Sequence, residues 1–274
     1  MLAELIETVG SGGLIYFTSP ALTEAGFTHA FSTRMGGISA PPFDSLNLGN
    51  SATGPQDTAA NIAENQRRFL AAVGAESLQL ITVNQVHGAD VATVGGKQAD
   101  FQADAAGQDK PMPCADALVV HDAGLLAGMR TADCVPILIG SDDGRLVAAV
   151  HAGWRGLVAG VVGACIRQMA VTGYPGSRLI AAVGPCIGAD AYEVGAEVKD
   201  AFEHAGLGAA VKRSSKPHIN LASAARIELV HAGVIRIDSS ELCTYALTNY
   251  FYSHRRDHGA TGRMLSVIGL EKII

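Results

Sequence analysis

A short apolar run, followed at once by a glycine-rich turn and a longer apolar segment, is the feature that most constrains the fold. The run is Leu146–Val150, and the block His151-Ala-Gly-Trp-Arg-Gly156 comes directly after it. Such a run is typical of a buried strand, and residues 157–169 are long enough for one helix despite Gly160 and Gly163. A polar histidine where a buried strand ends lies where α/β proteins place binding and catalytic groups. The search for a functional site therefore begins at this histidine.

Further strands and helices are expected along the whole chain, because short apolar runs alternate with segments of helical spacing. The expected strands are 14–17, 27–31, 81–87, 117–120, 125–129, 135–139, 179–183, 234–238 and 264–268. The other expected helices run from a cap at Asp57 or Thr58 to Val73, from Val194 to Ala205, and from a cap at Asn220 through Val230. No fixed-period repeat or linker interrupts this pattern. We therefore expect one domain over residues 1–274, of mixed α/β (α+β) class.

Composition excludes several classes of protein. Hydrophobic residues make up 48% of the 274 residues and charged residues only 17%, so a large core is expected and disorder is not. The net charge of -6 and the absence of a basic run argue against nucleic acid as a partner. No apolar run is long enough to span a membrane. Five widely spaced cysteines without a C-x-x-C pair favour free thiols in a reducing compartment. We expect a soluble cytoplasmic protein.

Two segments are expected to be loops. Residues 32–49 are rich in Gly, Pro, Ser and Asn, and residues 95–113 are polar with several Gly and Pro. The first is either an ordinary surface connection or an anion site. If residues 32–49 form an anion site, Arg34, beside Gly36 and Gly37, would offer a guanidinium and backbone N–H groups to phosphate.

Two histidines and one cysteine fall at expected strand ends, and together they suggest a metal site. Each is unremarkable alone: such a histidine is usually structural, and such a cysteine is usually a small buried hydrophobe. As a set, His87, Cys134 and His151 offer two imidazoles and a thiolate, which suits zinc with one position left open. Their separations of 47 and 17 residues carry no local metal signature. From the residues alone the zinc site is therefore only a hypothesis.

Seven ordered blocks carry a resemblance to a known protein family. They are Phe31-Ser-Thr-Arg-Met-Gly-Gly37, Asp44-Ser-Leu-Asn-Leu-Gly49, Asn84-Gln-Val-His-Gly88, Thr131-Ala-Asp-Cys134, His151-Ala-Gly-Trp-Arg-Gly156, Gly184-Pro-Cys-Ile-Gly188 and Tyr252-Ser-His-Arg-Arg-Asp257. The sequence closely resembles the YfiH-like family over nearly its whole length. These proteins were long labelled laccase-domain or polyphenol oxidase proteins and are now regarded as purine nucleoside phosphorylases.

The resemblance implies a fold, a metal and two activities. The implied fold is an α/β/β/α sandwich, with layered mixed sheets flanked by helices. The implied zinc ligands are His87, Cys134 and His151, all present here. The implied activities are phosphorolysis of adenosine, inosine, guanosine and 5′-methylthioadenosine, and deamination of adenosine. Purine nucleosides and phosphate are therefore the expected partners, and zinc is the expected cofactor.

Other residues in the matching blocks receive expected roles. We assign substrate binding to Arg34, Asn47, Arg155 and Arg255, and Arg256 is a further candidate for phosphate. Asp133, next to Cys134, is a candidate proton shuttle for deamination, or else a group that orients a metal ligand.

Three rival functions stay open at this point. A multicopper oxidase is disfavoured because the nine histidines include no His-x-His pair. A cysteine-dependent amide hydrolase would use Cys134 as nucleophile and His151 or His87 as base. Such chemistry would fit the correction of peptidoglycan precursors that is described for some family members. In a non-catalytic zinc protein, a fourth side chain would fill the open position.

Overall fold

The computed structural model describes residues 4–51, 53–95, 112–212 and 214–270. Within these ranges the strands are β1 (Ile6–Val9), β2 (Ile15–Thr18), β3 (Thr28–Ser32), β4 (Gln79–Ile81), β5 (Val91–Val94), β6 (Ala117–Val120), β7 (Leu125–Thr131), β8 (Val135–Ser141), β9 (Val147–Ala152), β10 (Leu179–Val183), β11 (Val211–Lys212), β12 (His218–Ile219), β13 (Arg236–Ser239) and β14 (Met264–Gly269). The helices are α1 (Pro20–Glu24), α2 (Ala59–Ala72), α3 (Trp154–Val158), α4 (Val161–Val171), α5 (Ala196–His204) and α6 (Leu221–His231).

Twelve of these strands form two six-stranded mixed sheets. The first has the order β1-β2-β3-β14-β7-β4 and the second the order β13-β10-β8-β9-β6-β5. Alternate side chains of both sheets meet in a shared core that includes Phe31, Met129, Leu138 and Ala149. Because successive strand residues point to opposite faces, each sheet is left with an outer apolar face to cover.

Helices cover both outer faces. Phe69 of α2 packs with Leu126 and Leu265 on the outside of the first sheet. Helices α3 to α6 cover the second sheet, where Val162 and Leu229 lie in the same cluster as Ile137 and Val150. The layers are thus α/β/β/α, as expected. The single-domain boundaries at 1 and 274 stay a prediction.

Several local predictions are confirmed. Helix α2 begins after Thr58, whose side chain accepts a hydrogen bond from the N–H of Asn61 at 3.1 Å. Helix α6 begins after Asn220, which caps it in the same way, and β10 has the expected bounds. The expected loop at 95–113 falls mostly outside the described residues. None of the described helices is both long enough and apolar enough to cross a membrane.

Two predictions around the candidate site were wrong. The single helix expected over 157–169 is broken into α3 and α4 at Gly160, which adopts φ 78°, a left-handed conformation that glycine tolerates best. The strand expected over 81–87 ends at Ile81. Beyond it, the backbone N–H groups of residues 86–88 donate to a side chain instead of a neighbouring strand. Apolar composition alone could not reveal that side-chain partner.

Candidate metal centre

The candidate centre lies where the chain crosses from one sheet to the other. Strand β7 of the first sheet ends at Thr131 and β8 of the second begins at Val135, so Cys134 occupies the connecting turn. His151 lies in β9, directly opposite Pro136 of β8. His87 lies in the loop before β5, at φ 60°. The possible ligand atoms of His87, Cys134 and His151 all lie within 4.8 Å of one another.

Asp116 organises this centre from behind. It directly precedes β6, and the pairing of Ala117 with Val150 places it opposite His151. Its carboxylate lies 2.7 Å from His151 Nδ1 and accepts from the backbone N–H groups of Val86, His87 and Gly88 at 3.2, 3.0 and 2.6 Å. One fully buried side chain therefore positions both histidines.

The contact with Asp116 also fixes the tautomer of His151. Hydrogen bonds from His151 and from the backbone of Gly88 and His87 outweigh burial and lower the Asp116 pKa, so its carboxylate accepts and Nδ1 carries the proton. The other ring nitrogen, Nε2, is then left for a metal. Carboxylate–histidine pairs of this kind are common behind protein-bound zinc.

The electrostatics favour a thiolate at Cys134. Burial alone would raise the Cys134 pKa, but the imidazoles of His151 and His87 lower it below the usual value of a thiol. Burial alone would lower the His151 pKa, but the negative charges of Cys134 and Asp116 raise it. A thiolate is the form in which cysteine binds metals and acts as a nucleophile.

The donor set fits zinc. In the described part of the chain, three possible ligands converge here, two imidazoles and a thiolate. Three protein ligands with an open fourth position are typical of catalytic zinc sites, whereas structural sites are closed by four. His151 is buried and His87 is exposed, so the group can be reached from solvent on the His87 side.

Gly153 is needed for the close packing of this group. A Cβ at this position would lie 3.0 Å from Cys134 Sγ and 3.1 Å from His87 Cδ2. Both contacts are tighter than ordinary van der Waals distances, so a larger residue would displace the two ligands. This explains a glycine two residues after His151.

Asp133 does not face the metal ligands as a free acid. Its carboxylate accepts from Thr244 Oγ1 at 2.7 Å, Ser253 Oγ at 3.0 Å and the backbone N–H of Arg255 at 2.7 Å. It adopts φ 91°, outside the usual range for a residue other than glycine. The contacts support an orienting role, in which Asp133 ties the Cys134 turn to residues 244–255.

Arg34 and Asn47, two of the expected substrate residues, are engaged within the protein. Arg34 forms a salt bridge with Asp44 at 3.1 Å and donates to the carbonyls of Asp44 and Thr248. Asn47 is fully buried; its Nδ2 donates to Asp57 and its Oδ1 accepts from the N–H groups of Gly49 and Arg263. The substrate contacts expected of these two residues stay predictions.

The other expected arginines divide into two kinds. Arg155 and Arg255 are exposed residues. Burial raises the pKa of Tyr192 and Cys134 adds to this effect, whereas Arg255 and Arg155 oppose it. Arg255 stacks 5.0 Å from the Tyr192 ring and donates to the carbonyl of Glu193. Arg256 instead donates to the carbonyls of residues 244, 245 and 251. Arg155, Arg255 and the Cys134 thiolate therefore all act on one shared tyrosine, while Arg256 holds the local backbone.

Comparisons with known proteins identify the family. A family model described as "Multi-copper polyphenol oxidoreductase laccase" matches residues 28–271. The "Purine nucleoside phosphorylase" of Deinococcus radiodurans is 40% identical over 245 residues, covering 89% of each chain. "Purine nucleoside phosphorylase YfiH" of Escherichia coli (strain K12) is 37% identical over 243 residues, covering 87% of this chain and 92% of that one. This chain belongs to the YfiH-like family.

Solved structures of YfiH-like proteins share the fold. YlmD from Geobacillus stearothermophilus superposes with a TM-score of 0.84 at 31% identity, covering 98% of this chain and 100% of that one. YfiH of Bacillus licheniformis gives a TM-score of 0.82 at 27% identity, covering 97% and 99%. The resemblance predicted from the sequence blocks is thus confirmed.

Asp116 is the site residue that the sequence reasoning missed. The available signal was an acidic residue directly before an apolar strand, Ala117–Val120. A carboxylate buried at such a position needs several hydrogen-bond donors. Replacing Asp116 with Asn should weaken zinc binding roughly 10–100-fold, because the amide cannot serve both His151 and the three backbone donors. Competition with a chromophoric chelator measures this.

The matched control for Asp116→Asn is Asp90→Asn, because Asp90 is an exposed residue of the loop that also carries His87. The control should bind zinc like the parent protein. Unchanged zinc affinity in Asp116→Asn would contradict the positioning role.

Proposed function

We propose that this YfiH-like protein is a purine nucleoside phosphorylase that also deaminates adenosine, with a zinc ion held by His87, Cys134 and His151. The observation that carries the proposal is the convergence of these three ligand atoms within 4.8 Å of one another. His87 is exposed, so substrate can approach the group from that side. The names of the Deinococcus and Escherichia relatives support the phosphorylase part. The proposed substrates are adenosine, inosine, guanosine and 5′-methylthioadenosine, with phosphate as co-substrate.

The chain's own groups suit both reactions. Zinc bound there would supply a Lewis acid that activates water for deamination. Asp116 keeps the proton on His151 Nδ1 and so leaves Nε2 available to the metal. The ring of Tyr192, stacked against Arg255, offers an aromatic surface on which a purine can pack, and Arg155 lies within electrostatic reach of the same ring.

One experiment tests the proposal directly. Inosine should be converted to hypoxanthine and ribose 1-phosphate when phosphate is supplied, and should persist without it. The same preparation should contain about one zinc per chain, measured by elemental analysis, because the described residues offer one such ligand group. Adenosine should yield inosine with no phosphate present.

The controls use the same preparation. Base released at equal rates with and without phosphate would indicate hydrolysis and defeat the phosphorylase assignment. Several coppers per chain with negligible zinc would instead support the oxidase that the family description names.

A further inference from the structure

Two arginines lie side by side at one end of the first sheet. Arg130 is in β7 and Arg263 directly precedes β14. Arg130 pairs with Leu265, and the next pair is Thr131 with Met264. Continuing this register makes Arg130 and Arg263 diagonal neighbours on one face, at a separation that long side chains can span.

Both arginines contact the same loop residue, Leu48. Arg130 Nε donates to the Leu48 carbonyl at 3.2 Å, and the Leu48 N–H donates to the Arg263 carbonyl at 3.0 Å. The next residue, Gly49, lies directly against Arg130: a Cβ there would be 2.4 Å from Arg130 Cδ and 2.6 Å from Nε. The loop is thus shaped to let the Arg130 side chain lie across it.

These two cations differ from the other partly buried arginines. Of the described arginines that are not exposed, four pair with a carboxylate. These four are Arg34, Arg178, Arg226 and Arg256. Arg130 and Arg263 form no such pair with any described residue, and burial lowers the pKa of both. A partly buried guanidinium without a counter-charge is unfavourable until an anion binds it.

Each of the two arginines has free donors. In the described ranges, Arg130 Nη1 and Nη2, and Arg263 Nε and Nη2, have no hydrogen-bond acceptor. No fully buried side-chain nitrogen or oxygen of the described structure lacks a partner, so these nitrogens are reached by solvent. Two guanidinium groups with free, accessible donors match the oxygens of a phosphate.

The pair also adjoins the metal centre. By the same register, Arg263 faces Ala132, two residues before Cys134. The negative charges of Cys134 and Asp133 act on the Arg263 guanidinium, yet neither group lies within ion-pair distance of it. An anion held by this pair would therefore sit beside whatever is bound at the centre.

We propose that Arg130 and Arg263 form the phosphate-binding subsite of the enzyme. The inference rests on the phosphorylase function proposed above. In the reaction, an oxygen of hydrogen phosphate bonds to ribose C1′ as the bond from C1′ to the purine nitrogen breaks. The electron pair of that bond leaves with the purine, which takes up the proton that hydrogen phosphate loses. The two arginines hold the phosphate and neutralise its charge during the attack.

The test compares Arg130→Gln and Arg263→Gln with the parent protein. The KM for phosphate should rise roughly 10- to 100-fold in each, the effect of losing a charged hydrogen bond, while the KM for inosine stays the same. Titration calorimetry with inorganic phosphate alone should show the same loss of affinity. Arg178→Gln is the matched control, because Arg178 is partly buried but already paired with Asp142.

Further variants keep the test decisive. If a glutamine variant does not fold, as judged by circular dichroism, Arg130→Lys and Arg263→Lys replace it. Lysine keeps the charge but cannot form the bidentate contact of a guanidinium, so the KM for phosphate should still rise. An unchanged phosphate KM in folded, phosphorolytic variants would overturn the subsite and leave the function intact. A rise caused by Arg34→Gln, and not by the Arg130 and Arg263 variants, would also overturn it.

Two outcomes concern the ligand itself. If adenosine 5′-monophosphate binds and inorganic phosphate does not, the pair recognises a nucleotide, which would contradict the proposal. If the parent protein phosphorolyses no nucleoside, the proposed function fails. Phosphate binding that depends on Arg130 and Arg263 would then still show that the subsite exists.

Discussion

Replacing Cys134 with alanine is expected to abolish the deamination of adenosine and to weaken zinc binding by more than roughly 100-fold. The reason is that loss of a ligand should exceed the 10–100-fold effect typical of groups behind the ligands. His87→Ala and His151→Ala should act in the same direction, because the three side chains share one group. Metal content after gel filtration and an adenosine-to-inosine assay measure the two effects.

Cys114→Ala is the matched control for this series, since Cys114 is an exposed free thiol. It should keep both the metal and the activity.

Cys134→Ala also shows whether Cys134 is a zinc ligand or a catalytic nucleophile. The lowered pKa of Cys134 beside His151 would also suit a cysteine hydrolase. In that case Cys134→Ala would lose activity and keep its metal, and the parent protein would form a covalent adduct with substrate, visible in intact-mass spectra. We expect loss of zinc and no adduct. An adduct on Cys134 in a fully active, metal-free preparation would defeat the zinc interpretation.

The second large effect is expected at Asp133. Asparagine tolerates the left-handed backbone there, but it has one acceptor oxygen where the carboxylate serves Thr244, Ser253 and the N–H of Arg255. Leaving buried donors without an acceptor costs about 1–3 kcal/mol each. Asp133→Asn should therefore lower the free energy of unfolding by about 2–4 kcal/mol and the Tm by about 4–8 °C.

Calorimetry of the Asp133 variant also tests its role as a proton shuttle. A shuttle predicts that Asp133→Asn loses deamination while its Tm is unchanged. The orienting role predicts the fall in Tm, with weakened activity following from a displaced Cys134 turn. Asp142→Asn is a suitable control, because Asp142 is exposed and its ion pair with Arg178 contributes little.

The sequence predicted the layers of the fold better than the details of the site. Apolar runs such as 179–183 and caps such as Thr58 act locally, so the strand β10 and the start of α2 could be expected. His87 could not be placed by periodicity, because its loop is held by Asp116, 29 residues further along the chain. The break at Gly160 was also missed, since nothing in the apolar pattern distinguishes a helical glycine from a left-handed one.

The arginines show the same limit in electrostatic terms. Arg34 was favoured because Gly36 and Gly37 follow it closely, and the sequence did not reveal that the carboxylate of Asp44, ten residues later, forms a salt bridge with it. Arg130 and Arg263 lie in or beside apolar strands and looked unremarkable. Among the partly buried arginines, what distinguishes them is the absence of a carboxylate partner among the described residues, which only the tertiary structure shows.

The crossing of the chain between the two sheets also has a consequence for folding. His87, Cys134 and His151 are separated by 47 and 17 residues in the sequence and become neighbours only in the native state, so the unfolded chain would hold the proposed zinc ion poorly. Binding would then shift the folding equilibrium by mass action, by about 2.7 kcal/mol at a free zinc concentration 100 times the Kd and about 4.1 kcal/mol at 1,000 times. The metal supply of the cell would thus govern how much of this protein stays folded and escapes proteolysis, as well as how much of it is active.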